Sequence, residues 1–165
     1  KIQNIANGIL LGTIGLLAQN QQMKVSETFK KIKSGDLTKE YIVNEVVNPL
    51  YQEFRQNGIL KSFGYVFTIE LLFAKRDKLF HMDRNGLVTE IEDFILIGAG
   101  SGYGREILSN IKGDNWYKEI RECLNLASKY ILPGCIVCVV SRSSGGNGAL
   151  VTTGAVCFAG VFLPG

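Results

Sequence analysis

At 165 residues, 46% of them hydrophobic and 20% charged, the chain is long enough for one domain with its own core and too apolar for a solvated, disordered segment. The formal net charge is only +3 and the lysines and arginines are dispersed, which excludes a basic stripe for nucleic acid. No apolar run reaches membrane-spanning length without a glycine or polar interruption, and no signal peptide is evident. The chain starts at Lys1 rather than Met, so processing or trimming ahead of it is expected.

Residues 1–6 alternate weakly, and Asn7-Gly8 between Ile5 and Ile9 is a hairpin signal. Residues 9–14 read as a second strand. A helix is expected from Gly15 to about Lys31, with Leu16, Leu17, Asn20, Met23, Val25 and Phe29 roughly on one face. The nearby Lys30, Lys31 and Lys33 read as a solvated helix end. Ser34-Gly35-Asp36 breaks the chain, and Thr38 caps a second helix with Tyr41, Ile42, Val46, Leu50 and Phe54 on one side. Pro49 should kink that helix and Asn57-Gly58 should end it.

Strands are expected over 65–74, 78–82 and 87–89, with Asp83-Arg84-Asn85-Gly86 as a turn. Phe94, Ile95, Leu96 and Ile97 form a short apolar strand. Helices are expected at 105–111 and about 116–130, strands at 135–140 and 149–158, and a flexible stretch at 141–148. His81 is expected at the surface, and Glu90, Glu92 and Asp93 on a solvated strand edge. Strands joined by hairpins alternate with helix pairs, which suits an α+β fold of two antiparallel sheets face to face with helix pairs outside.

The chain has four cysteines, and Cys135 and Cys138 have metal-ligand spacing, but in a strand their side chains face opposite sides. With no second pair and His81 the only histidine, no metal or cofactor is expected, and the cysteines read as reduced and buried in an intracellular protein.

The richest chemistry follows the apolar strand at Phe94. Gly98, Gly100, Gly102 and Gly104 surround Ser101 and Tyr103 at a strand-to-helix junction, where backbone N–H groups can hold an anion or an oxyanion. The dinucleotide fingerprint needs a glycine at the sixth position. That position is Tyr103 counted from Gly98 and Arg105 counted from Gly100. A small-molecule binder using the turn from Gly98 to Gly104 remains open on these residues.

Three stretches in order resemble the proteasome β-subunit family and its bacterial relative, the HslV peptidase. Lys1-Ile-Gln-Asn-Ile5 is similar to the strand whose lysine lowers the nucleophile's pKa. Gly12-Thr-Ile-Gly15-Leu-Leu-Ala-Gln-Asn-Gln21 is similar to the small-residue turn whose glycine N–H forms the oxyanion hole, with Gly15 14 positions after Lys1. Ile97-Gly-Ala-Gly100-Ser101-Gly102 resembles the turn whose serine positions water and the terminal amine.

The resemblance implies one N-terminal-nucleophile hydrolase domain over 1–165, a four-layer αββα sandwich. It implies a threonine-type endopeptidase acting on polypeptide in a cytoplasmic, homo-oligomeric ring, with an AAA+ ATPase as a conceivable partner and no cofactor, nucleic acid or membrane. Lys1, Gly15 and Ser101 carry the site. The family's opening strands, with the threonine and an acidic partner for the lysine, do not precede Lys1 here. Val151-Thr152-Thr153-Gly-Ala-Val-Cys-Phe158 reads like that opening strand, so Thr152 and Thr153 are the candidate nucleophiles of a permuted or truncated order. The family's aspartate and serine before the penultimate strand have no match in 129–134. A non-catalytic structural subunit of the same fold is therefore the alternative.

Overall fold

A computed structural model of the chain describes residues 2–6, 8–15, 17–32, 36–60, 67–75, 78–92, 94–98, 101, 137–141 and 154–158. The strands and helices expected at the start follow in order: β1 (Ile2–Ala6), β2 (Ile9–Gly15), α1 (Leu17–Val25) and α2 (Glu27–Lys31). Gly8 turns β1 into β2, which pair antiparallel.

The single helix expected from Gly15 to Lys31 is two helices. Ser26 interrupts it with extended backbone (φ −59°, ψ 130°), and its hydroxyl accepts the Thr28 N–H at 3.1 Å. The same hydroxyl donates to Glu53 Oε2 at 2.7 Å, and Thr28 Oγ1 donates to that oxygen at 3.0 Å. Ser26 is fully buried, so its polar atoms need these partners. The break resets the helical phase and leaves Val25, expected on the apolar face, 61% exposed.

The second helix starts at α3 (Lys39–Ile42), where Thr38 Oγ1 accepts the Tyr41 N–H at 3.1 Å. It widens into a π-helical turn over Val43–Val47 and continues as α4 (Asn48–Gln56). Pro49 has no N–H to give back and its ring crowds the carbonyl one turn earlier. The helix relieves this by widening: the Asn48 N–H reaches Val43 O, five residues back. Gly58 N–H then bonds Arg55 O and Ile59 N–H bonds Phe54 O, a Schellman end at the expected Asn57-Gly58.

β3 (Ile69–Lys75), β4 (Lys78–Met82) and β5 (Val88–Glu90) extend the first sheet, giving the antiparallel order β1-β2-β3-β4-β5. The turn at Asp83 forms as expected, with Asp83 Oδ1 accepting the N–H groups of Asn85 and Leu87 at 2.8 and 2.9 Å. β6 (Phe94–Ile97), β7 (Val137–Ser141) and β8 (Gly154–Phe158) form a second antiparallel sheet in that order. The helices expected at 105–111 and 116–130 lie outside the described residues, as does all of the flexible stretch expected at 141–148 except Ser141, which instead ends β7 paired with Phe94 and Gly154.

Alternation along β2, β3 and β4 explains the core. One sheet face presents Leu11, Ile69, Leu71, Phe73, Phe80 and Met82 to Met23, Ile42, Val46, Leu50 and Phe54 of the helices. The other presents Ile14, Leu72, Ala74 and Leu79, which cluster with Ile97 and Ile95 of β6. β3 is covered on both faces, which is why its sequence runs apolar from Leu71 to Ala74 instead of alternating. Each of these fully buried large side chains contributes roughly 1.5–3 kcal/mol.

Candidate active site

Gly15 ends β2 directly opposite Ile69 of β3. Its φ is +123°, outside what other residues adopt without strain. A Cβ there would lie 2.2 Å from Thr68 O and 2.6 Å from Ile69 Cα, so the backbones meet closely and only glycine fits. Two side chains of α1 tie the backbone on the two sides of this close approach. Asn20 Nδ2 donates to Gly15 O at 3.1 Å, and Gln19 Oε1 accepts the Thr68 N–H at 2.9 Å.

Gly98 follows β6 with φ +108°, and the Ser101 N–H closes the turn onto Gly98 O at 3.0 Å. Ser101 itself is half-buried. Ile14 and Ile97, the residues immediately before Gly15 and Gly98, belong to one buried cluster. Each candidate turn thus leaves a strand anchored in that cluster: a glycine at the end of β2 in the first sheet and a serine-bearing turn after β6 in the second. Backbone N–H groups at such turns can stabilise an oxyanion, and a hydroxyl can relay a proton or hold a water.

The remaining candidates, Lys1, Thr152 and Thr153, lie outside the described residues. The entry to β8 can be located by register. Gly154 pairs with Ser141 and Ser141 with Phe94, whereas Cys157 pairs with Cys138 and Cys138 with Ile97. The first residue of β8 therefore sits at the Phe94 end of its sheet and the Ser101 turn beyond the Ile97 end, about 10 Å apart along the strands at ~3.3 Å per residue.

His81 is a correction to its expected surface position. It sits on β4, between β3 and β5 and opposite Leu72, and its side chain is only 17% exposed. Its Nε2 is 3.1 Å from Glu70 Oε2, while the other Glu70 oxygen accepts Arg84 Nε at 3.1 Å. Glu70 is the cross-strand partner of Ile14. Glu90 and Glu92 are exposed, as expected of a solvated edge.

Gln19, Asn20 and Thr68 were not singled out by the sequence as site residues. Gln19, Asn20, Gln21 and Gln22 are four consecutive amides, which spread round a helix and mark no one face as functional. The usable signal is their place directly after a glycine turn, where donors and acceptors are needed to tie loose backbone groups.

Nothing in a scan of family models matches this chain, and no curated protein matches it. Solved structures do match. In fold, the chain is similar to Thiobacillus denitrificans BPH. One BPH structure superposes with a TM-score of 0.62 at 16% identity, covering 88% of this chain and 81% of BPH. A second, in complex with epoxomicin, gives 0.61 at 16% identity over 86% and 79%. HslV from Trypanosoma brucei gives 0.46 at 15% identity over 86% and 81%. At 16% identity the two BPH superpositions show a likeness of fold alone. Among the described residues no helix is long and apolar enough to cross a membrane.

Proposed function

We propose that the chain is a proteasome-like threonine-type peptidase subunit that hydrolyses peptide bonds with an N-terminal nucleophile. The observation that supports this reading is the burial of Ile14 and Ile97, the residues just before the two candidate turns, in one apolar cluster on a fold similar to BPH. A hydroxyl is a poor nucleophile at its free pKa and needs a base beside it. In this reading a threonine freed at its α-amine supplies its own base, and Thr152 or Thr153 is that residue after chain cleavage. The Lys1 ammonium favours the ionised oxygen. The Gly15 N–H receives the oxyanion of the tetrahedral intermediate, and Ser101 holds the terminal amine and the attacking water.

Residues 1–165 form a single domain in this reading, with the second sheet packed over the first and helix pairs outside both. Subunits close into a homo-oligomeric cytoplasmic ring that encloses unfolded polypeptide, with an AAA+ ATPase feeding it. A fluorogenic peptide amide tests the chemistry. Turnover by the purified chain that disappears in Lys1→Ala supports the mechanism, and turnover unchanged in Lys1→Ala rejects it.

One observation favours a non-catalytic subunit of the same fold as the second reading: the entry to β8 lies at the end of its sheet remote from Ser101. A nucleophile there would be about three residues of strand away from its helper. Peptidase activity from the purified chain alone decides against that reading.

A further inference from the structure

We infer that Gln19 and Asn20 are positioning residues that hold the Gly15 peptide in place, an inference whose catalytic meaning rests on the peptidase reading above. The two side chains leave adjacent positions of α1 and bond the two backbone segments that meet at this end of the β2–β3 pair. Gln19 is 3% exposed, so its amide is costly to bury without a partner. Its Oε1 takes the Thr68 N–H at 2.9 Å and so fixes the segment leading into β3. Thr68 O is the atom that a Gly15 Cβ would strike first, and Ile69 is the cross-strand partner of Gly15. Gln19 therefore sets the surface against which Gly15 rests.

Asn20 acts from the other side. Its Nδ2 donates to Gly15 O at 3.1 Å, which fixes the peptide leaving Gly15 and so limits how far the residue can swing with the N–H it carries from the preceding peptide. The glycine needs such restraint because its own backbone is permissive: at φ +123° no side chain of its own limits it. An oxyanion donor works only if it is already in place when charge develops. Tolerances for such groups are about 0.5 Å, and a misplacement of about 1 Å costs on the order of 100-fold in rate. One clamp acts on the segment Gly15 rests against and one on its own carbonyl, so the residue is restrained on both counts without a bulky side chain of its own.

Three variants of the full-length chain separate positioning from bulk structure. Gln19→Met keeps length and loses the acceptor, Asn20→Ala loses the donor, and Gln19→Glu keeps an acceptor oxygen for Thr68. The readouts are the backbone 15N order parameter of Gly15, with Leu72 of β3 as the internal control, and kcat and KM on a fluorogenic peptide amide. The expected result is a Gly15 order parameter falling from about 0.85 to below about 0.6 in Gln19→Met and Asn20→Ala, with Leu72 unchanged. In those variants kcat falls 10- to 100-fold with KM within twofold of wild type, and Gln19→Glu recovers most of both readouts. An unchanged Gly15 order parameter overturns the clamp. A loosened Gly15 with unchanged kcat overturns its catalytic meaning. A wild-type chain that cleaves no peptide removes the peptidase reading instead, and the order parameter alone then decides whether the clamp exists.

Discussion

Replacing Gly15 with alanine probes a close approach of two backbones. The new Cβ would lie 2.2 Å from Thr68 O and 2.6 Å from Ile69 Cα. Both atoms are backbone, so no side chain can swing aside, and β2 must part from β3 by about 1 Å at that end of the ladder. Crowding of this kind costs about 1–3 kcal/mol. Holding alanine at φ +123° adds roughly 1–3 kcal/mol. Together the loss is about 4 kcal/mol, which with a urea m-value of about 2 kcal/mol/M lowers the unfolding midpoint by about 2 M. Gly8→Ala is the matched control. Gly8 also has positive φ, at +85°, but a Cβ there meets nothing within 4 Å. It should cost only the left-handed backbone term of about 1–2 kcal/mol. Urea unfolding followed by circular dichroism compares the two. A Gly15→Ala loss no larger than that of Gly8→Ala would refute the close approach and, with it, the reason this turn requires glycine.

Other consequences are equally direct. Glu53→Ala strips the shared acceptor from buried Ser26 and Thr28 and should cost about 2–4 kcal/mol in chemical unfolding, whereas Glu53→Gln, which keeps an oxygen, should cost less than half as much. Phe54→Ala removes a fully buried ring packed edge-on to Phe67 and should cost about 3–5 kcal/mol in the same assay. The hydrogen bond from Lys30, and then its charge, hold the Glu27 carboxyl below the usual glutamate range. A depressed folded pKa stabilises above the unfolded value and is lost as pH falls through the folded one, so this contribution disappears on acidification. NMR titration of Glu27 should show the lowered midpoint, and Lys30→Ala should raise it. In the peptidase reading, Ser101→Ala should lower kcat on the order of 100-fold while leaving unfolding midpoints nearly unchanged.

Local chemistry made much of the first sheet and its helices readable. Thr38 caps a helix because its hydroxyl reaches the Tyr41 N–H, three residues on. Asn57-Gly58 ends one through bonds to Arg55 and Phe54, and Asp83 closes its turn with its own side chain. In each case the partner lies within five residues, so spacing alone announces it. The misreadings have distant partners. The break at Ser26 is fixed by Glu53, 27 residues later in the chain. His81 is placed by neighbouring strands that no local pattern foretells, with Glu70 11 residues away. Gly15 stood out through its spacing, but what makes it glycine is Thr68, and Gln19 reaches that residue across 49 positions. The clustering of Ile14 with Ile97 joins residues of two different sheets, which a linear pattern does not encode.

The N-terminal residue of the purified full-length protein, determined by intact mass and Edman chemistry, tests the central claim most directly. The account predicts a free threonine, at Thr152 after cleavage of the chain or at the head of the mature protein, together with turnover of a peptide amide. A protein with neither a terminal threonine nor an internal cleavage, inert towards peptide amides, would contradict the peptidase reading and leave a structural subunit of the same fold.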